Sequence, residues 1–339
     1  MSKEKIIHTS ERYGLREEAK EFPLMCVIAF TYVCNAKCLH CPFTNSDLRA
    51  RYKDTPHMKG GTFRIIADQC GEHGAWIRLT GGGEPMLHPE AVPLIEYAKK
   101  VGAKVGLISN GSVFNAENSR RLIEAGVDMI EFSVDAADPE SYAGIRKGLD
   151  WGKLVGNVEM MVSLRNRLKS PTKIIASGIN QKGADMEAAA RFWGSLVDEF
   201  QNRKYLTYGI SDPSRSADAE PYLPPEQRIP CPYLFERLNI DSRGKVVLCA
   251  LDLAGNTNMG DIHKEGLAQI WLGEKFEYYR KMHLEKRGNE VEPCKDCPDW
   301  KFRSWQHNYW KIVKKAEARR FDRLEFHDME GSPADAGDA

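Results

Sequence analysis

Residues 34–41 read CNAKCLHC, which places cysteines at 34, 38 and 41 and a histidine at 40 within eight positions. Three thiols are an odd number for disulfides, and they are one short of a closed four-ligand metal site. A cubic iron–sulfur cluster takes one thiolate per iron, so three cysteines leave one iron open to an outside ligand. Zinc is the other reading, with His40 as an available ligand inside the loop. The spacing alone keeps both.

Composition limits the setting. Of 339 residues, 48 are basic and 48 acidic. No net field draws the chain to nucleic acid or an anionic membrane, and neither is expected as a partner. The first residues, MSKEKIIHTSER, are charged where a secretory signal would be apolar. No apolar run approaches the roughly 18 residues of a membrane span. A cytoplasmic location is therefore expected, where thiols stay reduced and clustered cysteines point to metal or catalysis.

Around the cysteine loop, short apolar runs recur. CVIAFTYV (26–33), WIRLT (76–80), AKVGLIS (103–109), DMIEFSV (128–134), TKIIASGI (172–179) and YLTYGI (205–210) read as strands. Helical spacing of apolar residues marks 88–102, 115–126 and 185–202, with Gly102 and Gly126 as stops. Strand alternating with helix predicts an α/β fold built on a parallel sheet with crossover helices. A barrel and an open doubly wound sheet both fit that rhythm.

The rhythm stops near residue 211. A Pro-, Ser- and charge-rich stretch reads as a linker over 211–230. RLNIDSRGKVVLCA then predicts a hairpin turning at Ser242-Arg243-Gly244, followed by a helix around 264–285. Four further cysteines, Cys231, Cys249, Cys294 and Cys297, close with a CxxC pair. Four thiolates suit zinc or a cluster equally. An amphipathic helix over 301–325 and a small, acidic, disordered tail over 326–339 are expected at the end.

One strand after the cysteine loop comes LTGGGEP (79–85), whose glycines let backbone approach a ligand and whose Glu84 suits an ammonium group. Together these motifs resemble the radical S-adenosylmethionine (SAM) superfamily over about residues 24–210. Cys34, Cys38 and Cys41 match its CxxxCxxC loop, with the aromatic His40 in place, and Gly82-Gly83-Glu84 match its GGE motif. The resemblance implies a partial (β/α)6 TIM-like barrel after an N-terminal extension (1–23). It also implies a [4Fe–4S] cluster that binds SAM and cleaves it reductively to a 5′-deoxyadenosyl radical. An external one-electron donor such as flavodoxin or ferredoxin is implied as a partner. Further SAM contacts carried over are Asn110 and Gly111 in ISNGS, Ser133 near a strand end, and Arg146.

The cysteine–hairpin–CxxC pattern resembles the SPASM/twitch extension of that superfamily, implying a small twitch domain (231–300) with one auxiliary [4Fe–4S] cluster. Its spacings are similar to those of twitch dehydrogenases that oxidise 2-deoxy-scyllo-inosamine. Cys26 and Cys70 are left over and read as buried, inert thiols. Strand alternation places Glu131, Ser133 and Asp135 on one face, and Asp212 and Arg215 just after the sixth strand. Asp135 and Arg215 are the candidate catalytic residues, Asp135 being equally read as a cap on the next loop. No leader-peptide-binding domain is expected ahead of a strand starting near residue 26. The expected substrate is a small carbohydrate, aminocyclitol or nucleoside, dehydrogenated in natural product biosynthesis while the auxiliary cluster accepts an electron. The alternatives are a peptide maturase and a redox-neutral epimerase, dehydratase or decarboxylase. An epimerase would need Cys26, Cys70 or Tyr208 as hydrogen donor.

Overall fold

The computed structural model describes residues 19–218, 228–295, 297, 299 and 300. The expected helix over 301–325, the tail over 326–339, most of the N-terminal extension and the centre of the linker lie outside the described residues. The strands are β1 (Met25–Thr31), β2 (Lys37–Cys38), β3 (Trp76–Gly82), β4 (Lys104–Ser109), β5 (Met129–Ser133), β6 (Arg146–Lys147), β7 (Lys173–Asn180), β8 (Glu199–Lys204), β9 (Arg237–Ile240), β10 (Lys245–Val247) and β11 (Gly260–Asp261). The helices are α1 (Ser46–Ala50), α2 (Gly60–Glu72), α3 (Ala91–Lys100), α4 (Ala116–Glu124), α5 (Pro139–Ile145), α6 (Trp151–Arg167), α7 (Met186–Gly194), α8 (Leu267–Trp271) and α9 (Glu274–Leu284).

Six strands, β1, β3, β4, β5, β7 and β8, run parallel in that spatial order. The first and last do not pair, so the barrel stays open, as the resemblance implied. Four of the crossover helices, α4 to α7, begin where the sequence supplies a side-chain acceptor for their unpaired N–H groups. Asn115 forms a reciprocal capping box with Asn118, and Asp138, Asp150 and Asp185 cap α5, α6 and α7. The core lies between sheet and helices: Ile28, Ile77, Leu79, Val105, Leu107, Ile130 and Ile174 are fully buried.

Several expectations are corrected. The sixth barrel strand is Glu199–Lys204, not 205–210, and the helix before it ends at Gly194 rather than running to 202. EFQNRK lacks the apolar run of a central strand because β8 is an edge, paired only with β7 and half-exposed. An edge strand needs backbone pairing on one side only and carries charge readily. The predicted hairpin forms as β9–β10, but it is not a separate sheet. β9 pairs parallel with β1, Met25 opposite Arg237 and Ile28 opposite Ile240, so the sheet continues from the barrel into β9, β10 and β11. The expected single helix around 264–285 is two, α8 and α9, separated at Leu272-Gly273.

β1 is thus the spine shared by both parts of the chain. Ile28→Ala removes a fully buried side chain from it and should cost about 2–5 kcal/mol of unfolding free energy. In hydrogen-exchange measurements the amides of β1, β3 and β9 should lose protection together. Independent opening of β9 while β1 stays protected would contradict the shared spine.

Candidate active site

The cysteine loop leaves β1 and is stitched to the ends of the following strands. Glu84 N–H donates to the Val33 carbonyl at 2.8 Å, fastening the GGE turn beside Cys34. Only glycine fits there. A Cβ on Gly83 would stand 2.2 Å from the Val33 oxygen, and one on Gly82, whose φ is 71°, 2.4 Å from the Tyr32 ring. Asn35 donates to Ser112 Oγ at 2.8 Å and accepts from Asn110 Nδ2 at 3.0 Å, tying the loop to the turn after β4. Leu39 N–H donates to the Ile145 carbonyl, and the β2–β6 ladder sets Cys38 opposite Arg146.

Glu84 is 2% exposed and its carboxylate accepts from Met86 N–H, Ser109 Oγ and Asn110 N–H, at 3.1, 2.7 and 2.7 Å. Burial raises its pKa and these hydrogen bonds oppose the rise. The turn 109–112, the GGE turn and the cysteine loop therefore form one hydrogen-bonded unit. Asn35, Ser109 and Ser112 were not singled out in the sequence. Their only local signal is that each flanks a residue that was.

Asp135 is where the structure departs most from expectation. It is fully buried at a φ of 57°, outside the strand alternation used to place it. Its Oδ1 accepts from Ile179 N–H at 2.7 Å, and its Oδ2 pairs with Arg146 Nη2 at 2.7 Å and lies 3.7 Å from His40 Nε2. It caps a chain turn and anchors a cation, and it offers no free face to a substrate proton. Burial works against the Arg146 charge, but Asp135 and the Cys38 thiol outweigh it and raise the guanidinium pKa. The same guanidinium lies 3.8 Å from Cys38 Sγ. His40 receives Gln181 Nε2 on its Nδ1 at 3.0 Å, and burial pushes its pKa down to about 4, leaving it neutral.

Glu131, two residues before Ser133 on β5, is buried, and Arg203 holds it at 2.6 Å. Burial alone would raise the Glu131 pKa; Arg203 and Arg78 override this and lower it. Ser133 stands half-buried at the end of β5, beside Ser177 of β7. Arg215 is half-buried after β8, its carbonyl accepting from Lys182 N–H and its charge felt at His40. Cys26 and Cys70 are both fully buried, their thiols in hydrogen-bonding contact within the main core.

The four later cysteines line one cavity of about 190 Å³, together with Tyr208 and His283. Tyr208 comes from the loop after β8, and Asp299 holds that loop in place. The buried Asp299 carboxylate accepts from the N–H groups of Thr207 and Tyr208, both at 2.9 Å. Arg228 donates to the Cys294 carbonyl at 2.7 Å, fixing the CxxC pair on the opposite wall.

Both thiol groups fit clusters. Burial pushes Cys38 up to about 11, and the neighbouring Cys41 and Cys34 add to the rise. Burial, then Cys249 and Cys231, likewise push Cys294 up. Ligation requires these thiols deprotonated, which a cationic centre among them would favour. Among the described residues, no three His, Cys, Asp or Glu side chains close on a single ion.

Comparison with known proteins agrees with this geometry. The Radical SAM superfamily model matches residues 28–192, and the SPASM model, an iron-sulfur cluster-binding domain, matches 231–298. The PqqA peptide cyclase of Xanthomonas campestris pv. campestris (strain 8004) is 24% identical over 320 residues, covering 82% of this chain and 81% of that protein. That of Streptomyces rochei is 30% identical over 127 residues, and there the match spans only 34% of the relative. Among solved structures, Streptococcus suis SuiB bound to precursor peptide SuiA aligns with a TM-score of 0.66 at 14% identity, covering 90% of this chain and 75% of that one. BtrN in complex with AdoMet and 2-DOIA aligns at 0.55 and 17% identity, covering 81% and 92%. These likenesses show a shared fold. The two domains imply a SAM-binding [4Fe–4S] cluster and auxiliary cluster binding. No helix among the described residues is long and apolar enough to cross a membrane. The chain belongs to the radical SAM superfamily and carries an SPASM-type domain after its barrel.

Proposed function

We propose that this radical SAM enzyme is an oxidoreductase that dehydrogenates a small polar substrate of the carbohydrate, aminocyclitol or nucleoside class. When bound, the cluster groups and SAM supply a 5′-deoxyadenosyl radical for hydrogen abstraction and, at the auxiliary site, a one-electron acceptor. The chain's own residues do the rest. Cys34, Cys38 and Cys41 hold the SAM cluster, and Cys231, Cys249, Cys294 and Cys297 hold the auxiliary one. Gly82, Gly83 and Glu84 hold the SAM amino group, Asn110 and Ser133 its nucleoside, and Arg146 its carboxylate. His40, neutral and fixed by Gln181, packs the cysteine loop. Asp135 positions Arg146. Arg215, a half-buried cation whose charge is felt at His40, would lower the pKa of a substrate hydroxyl, whose proton passes to water as the carbinol radical gives one electron to the auxiliary acceptor and becomes a carbonyl.

The observation that carries the oxidative reading is the disposition of the cysteines. Cys26 and Cys70 are locked together in the core, so neither can return a hydrogen to a substrate radical, and Tyr208 lines the cavity of the later cysteines. The other seven fall into a group of three, which leaves one iron open, and a group of four, which leaves none. A fully thiolate-held cluster is suited to carry an electron rather than bind a ligand. A peptide substrate is the second reading, favoured by the 320-residue match to PqqA peptide cyclase.

The anaerobically reconstituted protein should hold about eight irons and eight sulfides. Replacing Cys34, Cys38 and Cys41 together by alanine should leave about four irons and abolish reductive SAM cleavage. Gly83→Ala should lower SAM-cluster occupancy in the same assay, because its Cβ collides with the Val33 carbonyl that braces Cys34.

Deuterated candidate substrates should pass label to 5′-deoxyadenosine, and the product should be two hydrogens lighter. Label arriving only from a peptide would give the second reading. An unchanged product mass, with solvent deuterium kept at one carbon, would replace oxidation by epimerisation. Asp135→Asn leaves Arg146 as a buried cation without its partner and should cost about 3–5 kcal/mol in stability. Arg215→Ala should lower kcat with little change in unfolding midpoint.

A further inference from the structure

His283 lies in the last turn of α9 and lines the cavity formed by the four later cysteines. Its side chain is 3% exposed. The Cys231 N–H donates to its Nδ1 at 3.2 Å, so that nitrogen carries a lone pair and no proton. An imidazole with an accepting Nδ1 must carry its single N–H on Nε2. That Nε2 is buried and has no hydrogen-bond partner among the described residues. A buried N–H donor without an acceptor is costly, and native structures rarely leave one so. The ring's place is also kept clear. A Cβ on Gly288 would come within 3.1 Å of Nε2 and Cε1.

We infer that His283 donates a hydrogen bond from Nε2 to a sulfur of the auxiliary cluster and thereby sets how readily that cluster takes an electron. The inference rests on the auxiliary-cluster reading of Cys231, Cys249, Cys294 and Cys297. Cluster sulfurs carry most of the negative charge, and they gain more on reduction. A donor aimed at them stabilises the reduced form more than the oxidised form and raises the potential. The Cys231 N–H fixes the tautomer and, through the backbone, couples ring orientation to a ligand. His283 is thus a positioning and tuning residue.

The full-length chain with Cys34, Cys38 and Cys41 replaced by alanine isolates the auxiliary group. An EPR-monitored redox titration of this protein should give one midpoint, and adding His283→Phe should move it to lower potential with four irons retained. His283→Gln, which keeps an N–H donor, should recover most of the shift. An unchanged midpoint in the His283→Phe protein would overturn the inference. The protein with His283 intact gives a second measurement that does not depend on the variants folding. Pulsed EPR of the reduced cluster should show an exchangeable proton that disappears in D2O, together with coupling to 15N supplied as labelled histidine. Absence of both couplings with four irons present overturns the hydrogen bond alone. Zinc in place of those irons overturns the auxiliary-cluster reading and the inference with it.

Discussion

The structure depends on the pinning of the cysteine loop to the carboxyl ends of the parallel strands. A loop of this length is entropically expensive to order, at about 1–2 kcal/mol per residue for backbone alone. Each of the hydrogen bonds that join the loop to Glu84, Asn110, Ser112 and Ile145 contributes only about 0.5–1.5 kcal/mol. None of them fixes the loop by itself. The Arg146–Asp135 pair differs in kind, because both groups are buried and breaking it strands a charge. It ties the segment after β5 to Cys38 on one side and to β7, through Ile179, on the other. The loop is therefore placed by several weak hydrogen bonds, backbone and side-chain, and one strong ion pair, all contributed by residues later in the sequence.

The same economy of charge governs the barrel interior. Glu131 lies one step below Ser133 and is held by Arg203 from the edge strand β8. Arg78 of the central strand β3 adds its charge to the same carboxylate. The edge strand supplies Arg203 from a half-exposed position. The polarity of β8 that hid it from sequence analysis is thus what lets it neutralise a buried carboxylate.

Pairing of β9 with β1 joins the two cysteine groups in one sheet. β1 leads directly into Cys34, and β9–β10 leads directly into Cys249. The two groups are positioned by adjacent strands of a continuous hydrogen-bonded body. Asp299 adds a second tie, since it holds the loop after β8 over the cavity of the later cysteines. Tyr52 adds a third through its hydrogen bond to Leu253, in the loop just after Cys249.

The cysteine triplet, the GGE turn and the hairpin with its closing CxxC were legible in the sequence, because each is local. Residue type and spacing carry their chemistry without reference to neighbours. Five of the six barrel strands were legible for the same reason, as apolar runs bounded by glycine and polar turns. The sixth was not, since an edge strand's identity lies in its partner rather than its composition. The face assigned to Asp135 did not follow, because alternation holds only while the strand lasts and the chain turns to positive φ there, whereas its reading as a loop cap matches the bond it accepts from Ile179. Its meeting with Arg146, Ile179 and His40 joins residues far apart in sequence, so no window on the chain contains it. The sequence by itself determined which groups could bind metal and SAM. Only the tertiary structure decided which charged residues are consumed in pairing, because ion pairs join distant strands brought side by side.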